Sequence, residues 1–262
     1  MNKPLLWIGA VVVLAIVALV VLIPSDKAPE ITSFREGVKS QTGGGQPAPA
    51  TGLAGKVVFG VTDDLISPGT LRALNLTIKE VWVHSSTKGW ILVSKTPRTF
   101  DLFQLHSLGA TEFLAEGNLA TGNYNQVRLI IERVIAINAS GASQEVKLPS
   151  GDLKMPGDLE IVKGETSAVI FDFLSDKSLH VTGKGEYIFS PVIKLDIQNN
   201  AKTQVAVKNQ LYPNGRLEVL NGRSRFNAVI GMDEKGMVKI NGGINTNAVV
   251  EIVDGIIKVT PR

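Results

Sequence analysis

The stretch Leu74–His84, LNLTIKEVWVH, carries the clearest fold information in the chain. Its apolar and polar side chains alternate, and β-branched and aromatic residues are frequent, as in a strand with one buried face. The apolar phase shifts between Ile78 and Val81, which is the effect of one extra residue in a β-bulge. The stretch therefore predicts a long bulged strand, on which Trp82 faces away from Val81 and Val83.

Short apolar runs with the same period of two recur from Gly55 to the end of the chain. Pro191 lies inside one of them, which predicts an edge position or two successive strands, because proline donates no ladder hydrogen bond. Asp254-Gly255 lies between two others and is typical of a two-residue hairpin turn. The runs predict an all-β fold, with strands at Lys56–Thr62, Leu74–His84, Trp90–Ser94, Tyr124–Arg133, Ala168–Leu174, Tyr187–Ile197, Gln204–Lys208, Arg216–Leu220, Arg225–Ile230, Met237–Ile240, Ala248–Val253 and Ile256–Thr260.

The composition is that of an ordinary folded protein. The chain has 262 residues, of which 44% are hydrophobic and 19% charged, and it contains no Cys. These values exclude wholly disordered, collagen-like, coiled-coil and disulfide-stapled chains. The net charge of +3 is too small to neutralise many phosphates, so nucleic acid is not an expected partner. The absence of Cys also excludes a thiol nucleophile, a thiolate metal site and a lipid-bearing cysteine.

A long apolar run lies near the N-terminus. Residues 5–23 read LLWIGAVVVLAIVALVVLI, nineteen positions without a charged side chain. A helix of this length spans about 28 Å, close to the hydrocarbon thickness of a bilayer. Lys3 precedes the run and no net positive charge follows it, which predicts a cytoplasmic segment 1–4. We therefore expect a single-pass protein of the cell membrane, anchored through residues 5–23, with its folded part outside the cytoplasm.

A cleaved signal peptide is the alternative interpretation of this run. The apolar region of such a peptide normally has about 7–15 residues and ends at a small-x-small site. Here the run is longer, and the residues after it, PSDKAP at 24–29, contain no A-x-A pattern. The sequence therefore favours an uncleaved signal anchor.

Residues 24–54 are rich in Gly, Pro, Ser and Thr and poor in large apolar side chains, which predicts a flexible linker. Residues 55–198 are assigned to a β-sandwich domain. Residues 199–262 form a C-terminal β-hairpin or meander region whose only aromatic residues are Tyr212 and Phe226. This region is close to the size at which isolated domains become marginal, so we expect it to dock on the sandwich or on a partner.

The sequence lacks the motifs of common enzyme and metal sites. No G-x-S-x-G elbow, Walker A motif or H-E-x-x-H occurs. The three histidines, His84, His106 and His180, are scattered along the chain. We therefore expect no cofactor, no metal and no enzymatic activity.

A surface hydrolase that uses carboxylates is the alternative. Asp101 and Asp172 each lie among hydrophobic residues, in FDLFQL and IFDFL, and glycoside hydrolysis requires two carboxylates at a fixed separation. The simpler interpretation is that these strand-end carboxylates pair with Arg128 or Lys194.

Four residues are candidates for ligand binding. Trp82 and Trp90 lie on neighbouring predicted strands, where exposed aromatic rings stack on sugars or anchor a partner, and packing in the core or in a hairpin is the alternative. Asp63 and Asp64 end the first predicted strand, where carboxylates bind a hard cation or form an Asx turn.

Two sequons are present. Asn75-Leu76-Thr77 and Asn138-Ala139-Ser140 fit the N-glycosylation acceptor pattern. Asn75 and Asn138 are therefore candidate glycosylation sites in a host that glycosylates exported proteins.

Several stretches in series resemble a known family. They are GKVVFGVTD, LTIKEVWVHSSTKGWILV, FDLFQLHSLGATEFLAEGNLATGNYNQVRLII, VKLPSGDLKM and AVIFDFLSDKSLHVTGKGEYIFSPVIKL, between Gly55 and Asp196. Their order is similar to that of the prokaryotic domain of unknown function 4382 family, which occurs in bacterial and archaeal envelope proteins and lipoproteins. Many members resemble lipoproteins, whereas this chain has an apolar run in place of a lipidated cysteine. The family has no established catalytic residues, so the resemblance implies none here.

A second resemblance concerns the architecture. LATGNYNQVRL at Leu119–Leu129 is similar to the L-x-x-G-x-Y-x-x-x-x-L closing strand of prealbumin-like and carboxypeptidase-regulatory-like sandwiches. This similarity implies a Greek-key β-sandwich of seven to eight strands.

These expectations combine into one functional hypothesis with two alternatives. The hypothesis is a membrane-anchored envelope protein without enzymatic activity, which displays a β-sandwich that binds an envelope protein or a glycan. The alternatives are a carbohydrate-binding module and a surface hydrolase. A hydrolase requires carboxylates that converge in a pocket, whereas a glycan binder requires exposed coplanar Trp or Tyr rings.

Overall fold

The computed structural model describes residues 54–63 and 70–232, together with the backbone of three further strands at 238–240, 248–253 and 256–261. The predicted transmembrane segment 5–23, the cytoplasmic segment 1–4 and residues 24–53 of the predicted linker lie outside the described residues. None of the helices in the described ranges has both the length and the apolar character needed to cross a bilayer.

The described chain consists mainly of β-strands. The strands and helices, in chain order, are β1 (Ala54–Asp63), β2 (Leu71–Ser85), β3 (Gly89–Ser94), β4 (Arg98–Asp101), α1 (Leu102–Leu108), β5 (Glu112–Ala120), β6 (Gly122–Asn138), β7 (Ser143–Glu145), β8 (Asp152–Ile161), β9 (Thr166–Phe173), α2 (Ser175–Ser178), β10 (Leu179–Val181), β11 (Tyr187–Phe189), β12 (Val192–Asn199), β13 (Lys202–Val205), β14 (Leu217–Leu220), β15 (Arg223–Met232), β16 (Val238–Ile240), β17 (Ala248–Val253) and β18 (Ile256–Pro261).

Two six-stranded sheets form the body of the fold. Sheet A has the order β16-β15-β12-β9-β1-β5, in which β1 and β9 are parallel and the other neighbours are antiparallel. Because β15 pairs with β12, sheet A continues past Asn199 into the C-terminal region.

Sheet B is built on the long antiparallel pair β2 and β6. β4 and β3 pair with successive parts of β2, while β8 and β7 pair with successive parts of β6. One half of the sheet therefore has the order β3-β2-β6-β8, and it is this half that holds both tryptophans of the described ranges.

The inner faces of the two sheets share one apolar core. Phe59 and Phe171 of sheet A stack with ring centroids 6.2 Å apart, and Val83 and Leu129 of sheet B are fully buried in the same cluster. Alternating strand residues produce this core because successive side chains point to opposite faces of a sheet. The described chain is therefore a β-sandwich, which confirms the all-β prediction.

A small third layer covers part of the outer face of sheet A. β13 and β14 pair with each other, and Leu217 donates its N–H to the carbonyl of Thr111 at 2.8 Å. A Cβ added to Gly60 of β1 would lie 2.6 Å from the Thr111 Cγ2 atom and 2.7 Å from the Leu217 Cδ2 atom. This layer thus depends on a glycine that lets it approach the sheet closely.

Several local predictions are confirmed. The register of β2 against β6 shifts between Ile78 and Glu80, where the sequence predicts a bulge. The run around Pro191 divides into β11 and β12. β17 and β18 are antiparallel, with Val253 opposite Ile256, as the predicted hairpin requires, although the turn residues Asp254 and Gly255 lie outside the described part.

The resemblance to prealbumin-like sandwiches implies fewer strands than the structure has. The sequence predicts neither β5 nor β8, and each main sheet contains six strands where the resemblance to prealbumin-like sandwiches implied seven to eight in total. Both missed strands contain Gly next to polar residues, EFLAEGNLA and DLKMPGDLEI, so their alternation is interrupted. They form because they pair with β1 and β6 along almost their whole length.

Candidate functional site

Trp82 lies on the outer face of sheet B. Its neighbours on β2, Val81 and Val83, are fully buried, whereas Trp82 itself is half-buried. The sequence prediction that Trp82 faces away from these two valines is therefore confirmed. The indole Nε1 donates a hydrogen bond of 2.8 Å to the Glu80 Oε2 atom, which fixes the ring against the sheet.

Trp90 lies on the same outer face, at the start of β3. It is directly opposite His84, and Leu92 is directly opposite Trp82, so the two tryptophans are diagonal neighbours across β2 and β3. The Trp90 and His84 rings are tilted by 59° with centroids 5.0 Å apart. His84 Nδ1 is in turn hydrogen-bonded to Asn125 Oδ1 at 2.8 Å.

Arg128 approaches the tryptophans from the other side of β2. It lies opposite Trp82 on β6, and its guanidinium carbon is 5.7 Å from the centroid of the Trp90 ring. Asp152 of β8 holds the guanidinium by two hydrogen bonds, from Nε to Oδ1 and from Nη2 to Oδ2, each 2.6 Å long. This fork geometry fixes the plane of the guanidinium group.

We call Trp82, Trp90, Leu92, Arg128 and Asp152 the tryptophan platform. It presents two partly exposed indole rings beside a charged pair whose side chains are 25% and 38% exposed. Aromatic faces of this kind stack on sugar rings or on flat side chains, while an oriented arginine and carboxylate hydrogen-bond to hydroxyl or amide groups. The arrangement can therefore bind a flat, partly polar ligand.

The sequence analysis named the two tryptophans as candidates but did not place Arg128 beside them. It expected this arginine to pair with Asp101 or Asp172, whereas its partner is Asp152. The alternation within YNQVRLIIER already indicates that Arg128 faces away from the buried Val127 and Leu129. The alignment of β6 with β2 and β8, which brings it to the tryptophans, is a tertiary feature.

A concave region of about 480 Å³ lies where α1 meets β2 and β6. Asn75 is in its lining, half-buried in the middle of β2 between Asp101 and Ile135. Asn138, the other predicted glycosylation site, ends β6, and its Oδ1 accepts hydrogen bonds from Ser140 Oγ at 2.7 Å and from Ala142 N at 2.9 Å. Modification of either asparagine stays a prediction.

The two carboxylates of the hydrolase alternative lie in different sheets. Asp101 is the last residue of β4 in sheet B and caps α1, since its Oδ1 accepts hydrogen bonds from the backbone N–H groups of Phe103 and Gln104. Asp172 lies on β9 of sheet A, with one carboxylate oxygen 3.8 Å from Lys194 Nζ. The expected pairing with Lys194 is present, and the structure does not bring the two carboxylates together in one pocket.

Asp63 is turned into the protein at the end of β1. Its side chain accepts hydrogen bonds from the backbone N–H of Ser175 at 3.2 Å and from Ser175 Oγ at 2.6 Å. Only 2% of Asp63 is exposed, so it holds the start of α2 in place. Asp64 lies outside the described residues. Within the described ranges no three His, Asp or Glu side chains cluster in a way that could hold a metal ion.

A buried polar cluster that the sequence did not reveal lies at the edge of sheet A. Glu112 of β5 is only 2% exposed, and Asn214 donates to its Oε2 at 3.0 Å. Burial raises the pKa of Glu112, against the opposing effects of Asn214 and of the nearby Arg98. Burial lowers the pKa of Arg98, because it disfavours the charged form of this base as well. The Arg98 guanidinium lies 4.9 Å from the Phe113 ring centroid. The cluster lies under the loop that contains Asn214, which it connects to β4 and β5.

Comparison with known proteins identifies a family but no characterised relative. The family model described as Domain of unknown function (DUF4382) matches residues 54–191. No curated protein and no solved structure matches the chain. The similarity to prealbumin-like sandwiches is therefore not confirmed.

Proposed function

This chain belongs to the family described as domain of unknown function DUF4382, and from its geometry we propose that it is a non-enzymatic binding protein of the cell envelope. In this proposal the tryptophan platform is the binding surface. The membrane segment 5–23 anchors the chain, and the β-sandwich faces the outside of the cytoplasm.

The observation that carries the proposal is the position of Trp82 and Trp90. Both rings lie on the outer face of sheet B, and Arg128, which is opposite Trp82 on β6, reaches over the Trp90 ring while Asp152 fixes its orientation. Large aromatic residues and arginine contribute most of the free energy in protein interfaces, so their combination on an outer sheet face supports a binding role.

The positions of the carboxylates favour a binding role over a catalytic one. Asp101 is engaged as a helix cap, and Asp172 lies on the other sheet beside Lys194. Hydrolysis of a glycosidic bond requires two carboxyl groups a few ångströms apart on either side of the bond, and this arrangement offers no such pair.

A carbohydrate-binding module is the second candidate. It is favoured by the same platform, because sugars present an apolar ring face for stacking and hydroxyl groups for arginine and carboxylate. A protein partner would use the tryptophans as anchors, with Arg128 and Asp152 at the rim of the contact.

The test compares the full chain with three variants, all solubilised in the same detergent. Trp82→Ala and Trp90→Ala remove the platform rings, and Val181→Ala is the control, since Val181 is 62% exposed and lies on β10, outside the platform. Each protein is applied to an array of envelope oligosaccharides and, separately, to detergent extracts of native membranes.

We expect the wild-type chain to be retained on a saccharide or on an envelope protein. This retention should fall at least tenfold in both tryptophan variants and stay unchanged in the control. Retention on the array selects the carbohydrate candidate, and retention from the extract alone selects a protein partner. Capture that is equal in the wild type and both tryptophan variants would overturn the proposal.

A further inference from the structure

The third layer, on the outer face of sheet A, exposes an unusual number of aliphatic side chains. In the ranges that the structure describes, six large apolar residues are exposed, and four of them lie on β13, β14 or the loop between these strands. These four are Val205, Val207, Leu211 and Leu220, and Val207 is 88% exposed. Aliphatic groups concentrated in this way are typical of a contact surface.

The same segment concentrates positive charge. Residues 200–224 contain four of the 27 Lys and Arg residues but one of the 24 Asp and Glu residues, so the rest of the chain is balanced at 23 of each. The single acidic residue, Glu218, lies 3.7 Å from Arg216 Nε. The other three cations, Lys202, Lys208 and Arg223, are exposed and form no ion pair with any described residue.

The end of the loop is held in a defined shape. Asn209 Oδ1 accepts hydrogen bonds from the backbone N–H groups of Leu211 and Tyr212, each 2.9 Å long. The loop is closed by a backbone hydrogen bond of 2.8 Å from Ala206 to Arg216. We call residues 205–211, VAVKNQL, the basic-apolar tip. These hydrogen bonds restrain both ends of the tip, which lowers the conformational entropy that docking would cost.

We infer that the basic-apolar tip docks on an anionic lipid surface. Val207 and Leu211 would enter the boundary between headgroups and acyl chains, while Lys208 contacts a lipid phosphate. This combination of exposed aliphatic side chains with a lysine and without a free carboxylate is complementary to an anionic bilayer.

This inference extends the proposed membrane anchorage and rests on it, because the anchor is what holds the tip near a bilayer. The predicted linker after residue 23 has about 30 residues up to the start of β1, and a flexible chain of that length has an end-to-end distance of about 30 Å. Tethering at that distance raises the effective concentration of the tip at the bilayer, so that a contact too weak to recruit a free protein is populated.

The test uses the full chain, which has no Cys, so single cysteines can be labelled directly. Val207→Cys carries an environment-sensitive fluorophore at the tip, and Val181→Cys carries it at a control site that is also an exposed valine. Both are reconstituted in vesicles of phosphatidylcholine alone or with phosphatidylglycerol, with and without brominated acyl chains. Flotation of the unlabelled chain with each vesicle tests anchorage independently.

We expect bromine to quench the label at 207 at least twofold more in anionic than in neutral vesicles, and to leave the label at 181 unchanged. The difference in quenching at 207 between anionic and neutral vesicles should become smaller in 1 M salt and in a Val207→Cys, Lys208→Glu double variant. Equal quenching at 207 and 181 in anionic vesicles would overturn the inference. A label response that depends on protein concentration would also overturn it, because such a response indicates self-association. Failure of flotation would overturn the anchor and, with it, the inference, because the tip reaches the bilayer only through the anchor. Flotation with equal quenching at 207 and 181 would overturn the inference and leave the anchor standing.

Discussion

Asn214 ties the loop between β13 and β14 to the edge of sheet A through Glu112. Its Nδ2 donates to Glu112 Oε2 at 3.0 Å and to the backbone carbonyl of Thr99 at 2.8 Å. One side chain thus connects the third layer to β5 of sheet A and to β4 of sheet B. The buried carboxyl of Glu112 gains a hydrogen bond that offsets part of the cost of its burial.

We expect Asn214→Ala to lower the free energy of unfolding by about 1–3 kcal/mol, because it leaves a buried carboxylate oxygen and a carbonyl without this donor. Urea unfolding of the variant and of the parent measures the change. Asn227→Ala is the control, since Asn227 is an exposed residue of β15. A loss no larger than that of the control would show that the Asn214 contacts contribute little.

Stability should depend on pH through Glu112. Its pKa is raised in the folded protein, chiefly by burial, from an ordinary value of 4.5, although Asn214 and Arg98 oppose the shift and Asp101 adds to it. The protonated form therefore stabilises the fold. This contribution is complete below pH 4.5 and is lost as the pH rises through the raised folded value.

Glu112→Gln removes this titration. We expect the free energy of unfolding of the parent, relative to the Gln variant, to decrease as the pH is raised from 4.5 towards 8. Chemical denaturation of both proteins across that range provides the difference. A difference that is constant, or that grows in favour of the parent at higher pH, would contradict the assigned direction of the pKa shift.

The parts of the fold that could be predicted from the sequence are the strands with uninterrupted alternation. β2 and its bulge follow from LNLTIKEVWVH, because burial on one face requires a period of two. β8 could not be predicted in the same way, since Pro156 and Gly157 interrupt its pattern, and its pairing with β6 stabilises it instead. The parallel pairing of β1 with β9 also joins segments about a hundred residues apart, which local patterns do not specify.

The platform shows the same division between local and tertiary information. The outward direction of Trp82 follows from its position between two buried valines. The approach of Arg128 to Trp90 depends on the registers of β2 with both β3 and β6, and a shift of one residue in either would remove it. The two tryptophans could thus be named from the sequence, whereas Arg128 and Asp152, and the assembly of the four residues into one surface, could not.

Gly60→Ala tests the close approach of the third layer to sheet A. The added methyl would lie within 2.7 Å of side-chain atoms of Thr111 and Leu217, and Leu217 is buried, so the layer must shift. We expect a loss of about 1–3 kcal/mol in the free energy of unfolding, as for other overpacked cores. Gly183→Ala is the control, since an added Cβ there meets nothing within 4 Å. Similar unfolding midpoints for Gly60→Ala and Gly183→Ala would contradict the proposed packing.

Asp152→Asn tests whether Asp152 orients the guanidinium of Arg128 over the Trp90 ring. The pair is partly exposed, so we expect the free energy of unfolding to change by less than about 1 kcal/mol. The freed guanidinium should leave the ring more often, and the ring should become more accessible to solvent. In a Trp7→Phe, Trp82→Phe background, Trp90 is the sole tryptophan, and its quenching by acrylamide measures this access.

The matched control for Asp152→Asn is Glu116→Gln, which removes the carboxylate of another exposed ion pair, 2.7 Å from Lys56 Nζ on sheet A. We expect acrylamide quenching of Trp90 to rise in Asp152→Asn and to stay at the parental value in Glu116→Gln, with similar unfolding midpoints in both. A ligand identified on the platform should then lose affinity in Asp152→Asn alone, because the arginine no longer meets it in a fixed plane. If quenching is the same in both variants, Trp90 is shielded by packing on β2 and β3, and Asp152 has no part in forming the platform.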